Sequence, residues 1–313
     1  MIKLRNKEYK VIDAHAHIWN NFNGYRFGTT KIEPLGWGMV RQGDEVFRFL
    51  APEYYNNQAP AEILINYMKD NGIDKAVILQ NPCYGDQRDY VKNVIEENAG
   101  MFVGLGMIDP RDKNNVLKQM DILFNEYKFK GFKIEVPDVP FIMDDQEYDF
   151  LWKKIYDMGA VIALDLGWHD GPFDFNIDCL RNVMLKNPEM RTVICHLGVS
   201  HLWDRKQTKP YPELQKTLSL LEINRENLYL DISALPDRDI SDDYPFYRAA
   251  DILKTVKETC GMDRIMWGAD GPMIYRYCTY EQTLTYVTHY CDFLTDDEMK
   301  KILYDNAQKV YFN

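Results

Sequence analysis

Residues 11–17 read Val-Ile-Asp-Ala-His-Ala-His, an apolar run of strand-forming residues that ends in two histidines. Side chains alternate between the two faces of a strand, so Asp13, His15 and His17 are predicted to share one face. Two imidazoles at positions i and i+2, at the carboxyl end of a strand, can both reach one metal ion. The His-x-His pattern alone is a weak signal, because two nearby histidines are often present without a metal.

Short runs of this kind return along the rest of the 313 residues and alternate with amphipathic stretches that predict helices. Runs rich in Val, Ile and Leu are typical of parallel strands that are buried on both faces. The predicted strands are 11–15, 75–80, 102–108, 131–135, 161–166, 192–196, 228–232 and 264–267. Eight strand–helix alternations predict a single α/β domain over residues 1–313, a (β/α)8 TIM barrel. A doubly wound open sheet is the alternative, although it usually has fewer units.

Residues 20–60 interrupt this alternation between the first predicted strand and the first predicted helix, and they are rich in glycine and aromatic residues. A loop of this length is usually functional or disordered, and its aromatic content argues against disorder. In a barrel this loop would open on the face that carries the active site. We interpret residues 20–60 as an inserted lid or substrate wall, with a dimer contact as the alternative. The aromatic content also makes a homodimer our expectation.

The composition excludes several classes of partner. Lys and Arg number 37 and Asp and Glu number 48, which gives a formal net charge of −11. An acidic chain without a basic run does not favour nucleic acid or anionic membranes. No apolar run reaches the ~18 residues of a membrane helix, and the charged first ten residues do not resemble a secretory signal. The six cysteines form no CxxC pair, which favours a reducing cytoplasm.

Several predicted strands also end in a titratable side chain after an apolar body. These side chains are Lys133 and Glu135 in the fourth strand, Asp165 in the fifth, His196 in the sixth, Asp231 in the seventh and Asp270 in the eighth. In a barrel these strand ends surround one opening, and buried ionisable groups are costly unless they are paired or bind a metal. An Asp after a strand often caps the next helix. Helix capping is therefore the alternative role for Asp165, Asp231 and Asp270. For His15, His17, His196 and Asp270 together, a shared functional site is a better explanation than four separate structural roles.

Motifs in order along the chain resemble those of one superfamily. Residues 11–17 resemble the first strand of the amidohydrolase superfamily, and Cys195-His196-Leu197-Gly198 resembles its sixth. The run Arg-Ile-Met-Trp-Gly-Ala-Asp-Gly-Pro at 264–272 resembles the eighth strand, and residues 306–311 resemble the end of the family's chains. The resemblance covers the whole chain and is closest to the amidohydrolase-2 (amidohydrolase-related) family. That family holds lactonases, other hydrolases and nonoxidative decarboxylases.

The resemblance implies one divalent metal ion bound by His15, His17 and Asp270, with His196 as a further ligand or as an acid–base group. Most relatives end the fifth strand in a metal-binding His, where this chain has Asp165, and some place a carboxylate at the position of Glu135. We therefore expect Asp165 and Glu135 to complete the metal set. Carboxylate oxygens favour a harder ion, so Mn²⁺ is expected beside Zn²⁺. A metal-free site is the alternative, because some lactonases of this branch are thought to work without a metal.

The resemblance also implies a reaction. We expect a metal-dependent hydrolase in which an activated water attacks the carbonyl of a small cyclic substrate, which is a lactone, a cyclic amide or a cyclic diketone. Asp270 would be the general base, and His196 would stabilise the oxyanion or donate a proton. The alternatives are a nonoxidative decarboxylase of a hydroxylated aromatic or muconate-type acid, and a ligand-binding barrel without catalysis. The candidate substrate contacts are Trp19, Lys133, Trp168, His169 and His201, with packing between loops as the alternative for each aromatic residue.

Overall fold

The computed structural model describes residues 1–26, 28–166, 177–198, 209–224, 226–238 and 242–313. Within these residues, eight parallel strands form one sheet, and strands that follow one another in the chain are neighbours in the sheet. The strands are β1 (Ile12–Ala16), β2 (Lys75–Leu79), β3 (Phe102–Met107), β4 (Gly131–Glu135), β5 (Val161–Asp165), β6 (Arg191–Ile194), β7 (Leu228–Asp231) and β8 (Ile265–Met266). The prediction of a (β/α)8 barrel is confirmed.

Hydrogen bonds between the segments of β8 and β1 close the barrel. The Ala14 amide donates to the Trp267 carbonyl at 3.1 Å, and the Asp270 amide donates to the His15 carbonyl at 2.8 Å. The His17 amide donates to the Gly271 carbonyl at 3.0 Å. These bonds occupy the backbone groups that the edge strands of an open sheet would expose. They also bring the segment 11–17 next to the segment 264–272.

Helices separate the strands and cover the outside of the barrel. They are α1 (Ala61–Asp70), α2 (Arg88–Glu97), α3 (Val116–Asp121), α4 (Asp149–Asp157), α5 (Ile177–Lys186), α6 (Pro212–Ser219), α7 (Tyr247–Cys260), α8 (Tyr280–Tyr290) and α9 (Asp296–Lys300). Short π-helical and 3₁₀ turns extend several of them, including the π-helical turns Ile122–Glu126 and Lys301–Asp305. In the described residues, no helix is both long enough and apolar enough to cross a bilayer.

Two apolar layers lie on the two sides of the barrel wall. The inner layer consists of strand side chains that face one another: Ile12, Ala14, Val77, Leu79, Leu105, Val161, Ala163, Val193, Cys195, Tyr229 and Met266. The outer layer packs the opposite strand faces, such as Ile134 and Leu164, against helix residues such as Trp152. The strands are apolar on both faces because each face meets one of these layers.

A β-bulge in β1 changes the face of its side chains. Asp13 pairs with Ala76 and Ala16 pairs with Ile78, so β1 holds one residue more than β2 between these pairs. Asp13 consequently turns to the outer layer, where it accepts a hydrogen bond from the Tyr280 hydroxyl of α8 at 3.0 Å. The prediction that Asp13 shares a face with His15 and His17 is wrong, because strict alternation does not continue through a bulge.

The segment 20–60, which was predicted as a loop, contains a small sheet. Four antiparallel strands, paired in chain order, cover Gly24–Arg26, Thr30–Gly36, Met39–Gln42 and Glu45–Arg48. Ile32 and Val40 of this sheet pack with Trp19 and Tyr84 in a separate apolar cluster. The sequence did not predict these strands because only four of their residues are buried, so no alternating apolar pattern marks them. The hairpin Ile2–Leu4/Lys7–Tyr9 and helix α2 also went unpredicted.

Candidate metal centre

The side chains of His15, His17 and Asp270 meet at the carboxyl ends of β1 and β8. The Nε2 atoms of the two histidines lie 3.1 Å apart. Asp270 Oδ1 lies 3.5 Å from Nε2 of His15 and 3.3 Å from Nε2 of His17. The two imidazoles are buried, whereas the Asp270 side chain is 11% exposed. Three potential ligand atoms therefore converge, and the carboxylate lies closest to solvent.

The hydrogen-bond partners of the two imidazoles decide where their protons lie. His15 Nδ1 is 3.0 Å from Asp231 Oδ2, and His17 Nδ1 is 2.8 Å from the Leu79 carbonyl oxygen. Both oxygens only accept, so each Nδ1 carries the hydrogen and each Nε2 presents its lone pair. Burial lowers the pKa of His15 and lowers that of His17 to about 4, so neither ring carries a second proton at neutral pH.

The converging atoms fit a divalent cation. Two nitrogen lone pairs and a carboxylate oxygen repel one another at 3.1–3.5 Å unless a cation lies among them. Ligand atoms that surround a zinc ion tetrahedrally at about 2.0–2.1 Å stand about 3.3 Å from each other. The donor set of two imidazoles and one carboxylate is also one that zinc accepts. His15, His17 and Asp270 would therefore hold the ion.

Asp231 organises this centre, and the sequence did not assign it a role there. Besides its contact with His15, it accepts hydrogen bonds from the backbone amide of His196 at 3.0 Å and from the amide and hydroxyl of Ser233. Burial alone would raise the pKa of Asp231, but the hydrogen bonds from His15 and Ser233, together with the charge of His196, hold it below its usual range. These bonds use the oxygens that would cap a helix. The alternation of polar and apolar residues at 229–233 is the sequence signal that Asp231 faces the barrel interior. It does not indicate which residues Asp231 contacts.

His196 lies beside the three ligands and faces oxygen atoms on both sides. Its Nε2 is 3.1 Å from Asp165 Oδ2, and its Nδ1 is 3.0 Å from the Ser233 carbonyl oxygen. Although His196 is close enough to His15 and Asp270 to join a metal cluster, both of its nitrogens have these partners. Its backbone adopts φ 55°, a left-handed conformation that is costly without glycine. This turn also ends β6 two residues earlier than predicted.

Glu135 and Asp165 were expected to bind the metal, but the structure places them in a second polar group. Glu135 Oε2 accepts hydrogen bonds from Lys133 Nζ at 2.8 Å and from Asn81 Nδ2 at 2.6 Å. Asp165 Oδ2 forms the hydrogen bond with His196 Nε2 that is described above. Lys133 was expected to contact substrate, yet it is 1% exposed and is paired with Glu135 inside the barrel. In these apolar surroundings each of these ionisable groups has a polar partner.

Trp19 differs from its expected role as a substrate contact. Its ring is completely buried and stacks on Tyr84, with 4.4 Å between the ring centroids. Its indole N–H donates to the Asn57 carbonyl at 2.7 Å. Packing beneath the small sheet accounts for all of these contacts. Tyr84, which the sequence did not single out, also places its hydroxyl 2.9 Å from His17 Nδ1.

The remaining three candidates, Trp168, His169 and His201, lie outside the described residues. They follow β5 and β6 in the chain, so their expected contacts with substrate stay predictions.

Comparison with solved structures gives the same fold. The chain resembles a probable 2-pyrone-4,6-dicarboxylic acid hydrolase from Acinetobacter baumannii with citric acid bound, at 16% identity over 97% of this chain and 100% of that chain, with TM-score 0.69. It also resembles an amidohydrolase from Burkholderia multivorans with bound zinc, at 16% identity over 97% and 99%, with TM-score 0.68. A 2,6-dihydroxybenzoate decarboxylase from Rhizobium is similar at 15% identity over 79% and 86%, with TM-score 0.57.

Likeness at these identities establishes the fold alone. No curated protein matches the sequence. The amidohydrolase family model, in contrast, matches residues 12–312, which include the three converging ligands and His196. The chain is therefore an enzyme of the amidohydrolase family.

Proposed function

We propose that this protein is a metal-dependent hydrolase of a small cyclic carbonyl compound, namely a lactone, a cyclic amide or a cyclic diketone. The observation that carries the proposal is the convergence of His15 Nε2, His17 Nε2 and Asp270 Oδ1 within 3.1–3.5 Å of one another. A divalent ion held there, Zn²⁺ or Mn²⁺, would lower the pKa of a water molecule and polarise the substrate carbonyl. The zinc in the Burkholderia multivorans structure supports this choice of ion.

Asp270 is suited to accept a proton from water. A divalent ion bound by this carboxylate would lower its pKa through direct attraction of the opposite charges. The carboxylate is therefore ionised at neutral pH. It is also the most exposed of the three ligands, so water can reach it from the barrel opening. Asp270 would take the proton during attack and return it to the leaving group.

His196 is suited to stabilise negative charge on the substrate oxygen. Its two nitrogens face the Asp165 carboxylate and the Ser233 carbonyl, so both of them act as donors. A doubly protonated ring next to the attacked carbonyl lowers the energy of the developing oxyanion. Asp165 compensates the positive charge of this ring within the protein.

Nonoxidative decarboxylation of a hydroxylated aromatic or muconate-type acid is the second candidate. The similarity to the Rhizobium decarboxylase favours it, because that fold carries the reaction named there. The similarity to the Acinetobacter baumannii hydrolase spans both chains almost completely and has the higher TM-score, which supports hydrolysis.

An activity panel with and without metal tests the proposal. Purified protein is assayed with 2-pyrone-4,6-dicarboxylate, simple lactones, cyclic amides and cyclic diketones, and CO₂ release is followed with 2,6-dihydroxybenzoate. We expect ring opening that chelation abolishes and that Zn²⁺ or Mn²⁺ restores. Elemental analysis should find one ion per chain. Release of CO₂ without ring opening would establish the second candidate, and full activity after verified metal removal would overturn the metal-dependent mechanism.

A further inference from the structure

The polar group of Lys133, Glu135, Asp165, Asn81 and His196 lies beside the candidate metal centre. The reaction described above uses His196 and its partner Asp165 but gives no role to Lys133, Glu135 or Asn81. Lys133 and Glu135 belong to β4 and Asp165 ends β5. Glu135 and Asp165 are direct partners in the pairing of these two strands. Both carboxyl groups are almost completely buried, at 1% and 2% exposure. Two acids are thus held together out of water, which demands an explanation.

The hydrogen bonds of Glu135 occupy only one of its oxygens. Oε2 accepts the bonds from Lys133 and Asn81. Oε1 is buried, and no donor among the described residues reaches it. The carboxyl group of Glu135 instead stands in hydrogen-bond contact with that of Asp165. Two ionised carboxylates cannot form such a bond, because neither supplies a hydrogen and their charges repel.

The charges around the pair indicate which acid holds a proton. Burial raises the pKa of Glu135 and the charge of Asp165 raises it further, against the effect of Lys133. Burial alone would also raise the pKa of Asp165, but His196 and Lys133 hold it well below its usual range. Asp138 is a further acid near Glu135, and it opposes ionisation of Glu135. Burial, Asp165 and Asp138 thus favour a neutral Glu135 against the effect of Lys133, whereas His196 and Lys133 favour an ionised Asp165.

We propose that Glu135 keeps its proton and donates it to Asp165, so that the two acids form one unit that fixes the ring of His196. Asp165 then receives two hydrogen bonds, one from Glu135 and one from His196 Nε2. Such a unit orients the imidazole and stabilises its charge without ligating the metal. Glu135 is a positioning residue that acts through Asp165. The role in catalysis rests on the proposed function, whereas the shared proton does not.

Substitution of Glu135 by glutamine imitates the protonated acid. In Glu135→Gln the carbonyl oxygen accepts from Lys133 and Asn81, and the amide N–H donates to Asp165. The double variant Lys133→Met/Glu135→Leu removes the donor together with the lysine, so that no buried charge is left unpaired. Asp165→Asn presents an amide group to His196 and disturbs its protonation. Glu126→Gln, at an exposed glutamate, is the matched control.

Three measurements separate the outcomes. The infrared difference between wild type and Glu135→Gln at neutral pH should contain the C=O band of a protonated carboxyl, and the difference for Glu126→Gln should lack it. Metal content should equal that of wild type in all variants. With the substrate identified by the panel, Glu135→Gln should keep kcat within about threefold, whereas Asp165→Asn and the double variant should lose about 100-fold.

Absence of the protonated band would overturn the shared proton, whatever the enzyme's reaction. Metal loss in Glu135→Gln or Asp165→Asn would instead make these residues ligands and overturn the positioning role. A kcat in Glu135→Gln as low as in the double variant would do the same. If no substrate is found, the infrared and metal measurements still decide the inference, and only the proposed function fails.

Discussion

The Nε2 atoms of His15 and His17 lie 3.1 Å apart, although neither atom has a hydrogen to give to the other. Their Nδ1 hydrogens are committed to Asp231 and to the Leu79 carbonyl, on opposite sides of the pair. Both lone pairs consequently face the carboxylate of Asp270. No hydrogen bond links these two nitrogens to each other or to the Asp270 carboxylate. A cation bound among the three groups would make their close approach favourable.

Asp231 sets the orientation of His15, so its loss should weaken metal binding. In Asp231→Ala the Nδ1 hydrogen loses its acceptor, and the ring is free to change tautomer. Partners of this kind contribute about 10–100-fold in metal affinity. Calorimetric titration with Zn²⁺ measures the change, with the exposed Asp292→Ala as control. Unchanged affinity in Asp231→Ala would show that His15 is oriented by other contacts.

Asp270→Asn tests the proposed base. The amide preserves the shape of the side chain but cannot accept a proton from water, so kcat should fall by about 10²–10⁴-fold. KM should change far less. Steady-state kinetics at saturating metal, with the metal content measured in parallel, separates this effect from metal loss. A metal-loaded variant with near-normal kcat would remove Asp270 from the role of base.

Gly268 allows β8 to approach β1 next to the metal centre. A Cβ atom at this position would lie 2.7 Å from His15 Cβ and 2.9 Å from the His15 backbone nitrogen. Gly268→Ala therefore must displace His15, and we expect about 1–3 kcal/mol of destabilisation together with weaker metal binding. Denaturant unfolding and Zn²⁺ titration measure the two effects.

Gly43→Ala is the matched control for this substitution. Gly43 has φ 60° and open space around it, so its variant should lose stability through backbone strain only. If Gly268→Ala binds Zn²⁺ as tightly as Gly43→Ala does, the close approach to His15 is not needed for the metal centre.

Large exposed side chains that favour a dimer lie on the small sheet at 24–48 and just after it, at Tyr55. Trp37 is 66% exposed and Tyr55 is 63% exposed, and their rings lie 6.2 Å apart. We expect wild type to have the mass of a dimer in light scattering and the variant Trp37→Ser/Tyr55→Ser to have that of a monomer. The exposed pair Tyr156→Ser/Leu185→Ser, on α4 and α5, is the control. A monomeric wild type, or a variant that stays dimeric, would exclude this face as the interface.

The sequence by itself determined the barrel and the identity of the residues at its opening. Periodicity and β-branched composition are local properties, so all eight strands could be read within a few residues of their ends. Likewise, a polar side chain after an apolar strand identifies a residue at the opening. The family resemblance at residues 11–17 and 264–272 singles out His15, His17 and Asp270 from the sequence alone.

Only the tertiary structure decided which of these residues contact each other. The bulge in β1 places the side chains of Asp13 and His15 on opposite faces of the strand, and no local pattern encodes the extra residue. Asp231 reaches His15 across 216 positions of sequence, and Asp165 reaches His196 rather than the metal ligands. Burial makes every charged side chain find a partner, but strand register and backbone turns choose that partner. These long-range choices divide one ring of polar residues into a metal centre and a separate acid pair.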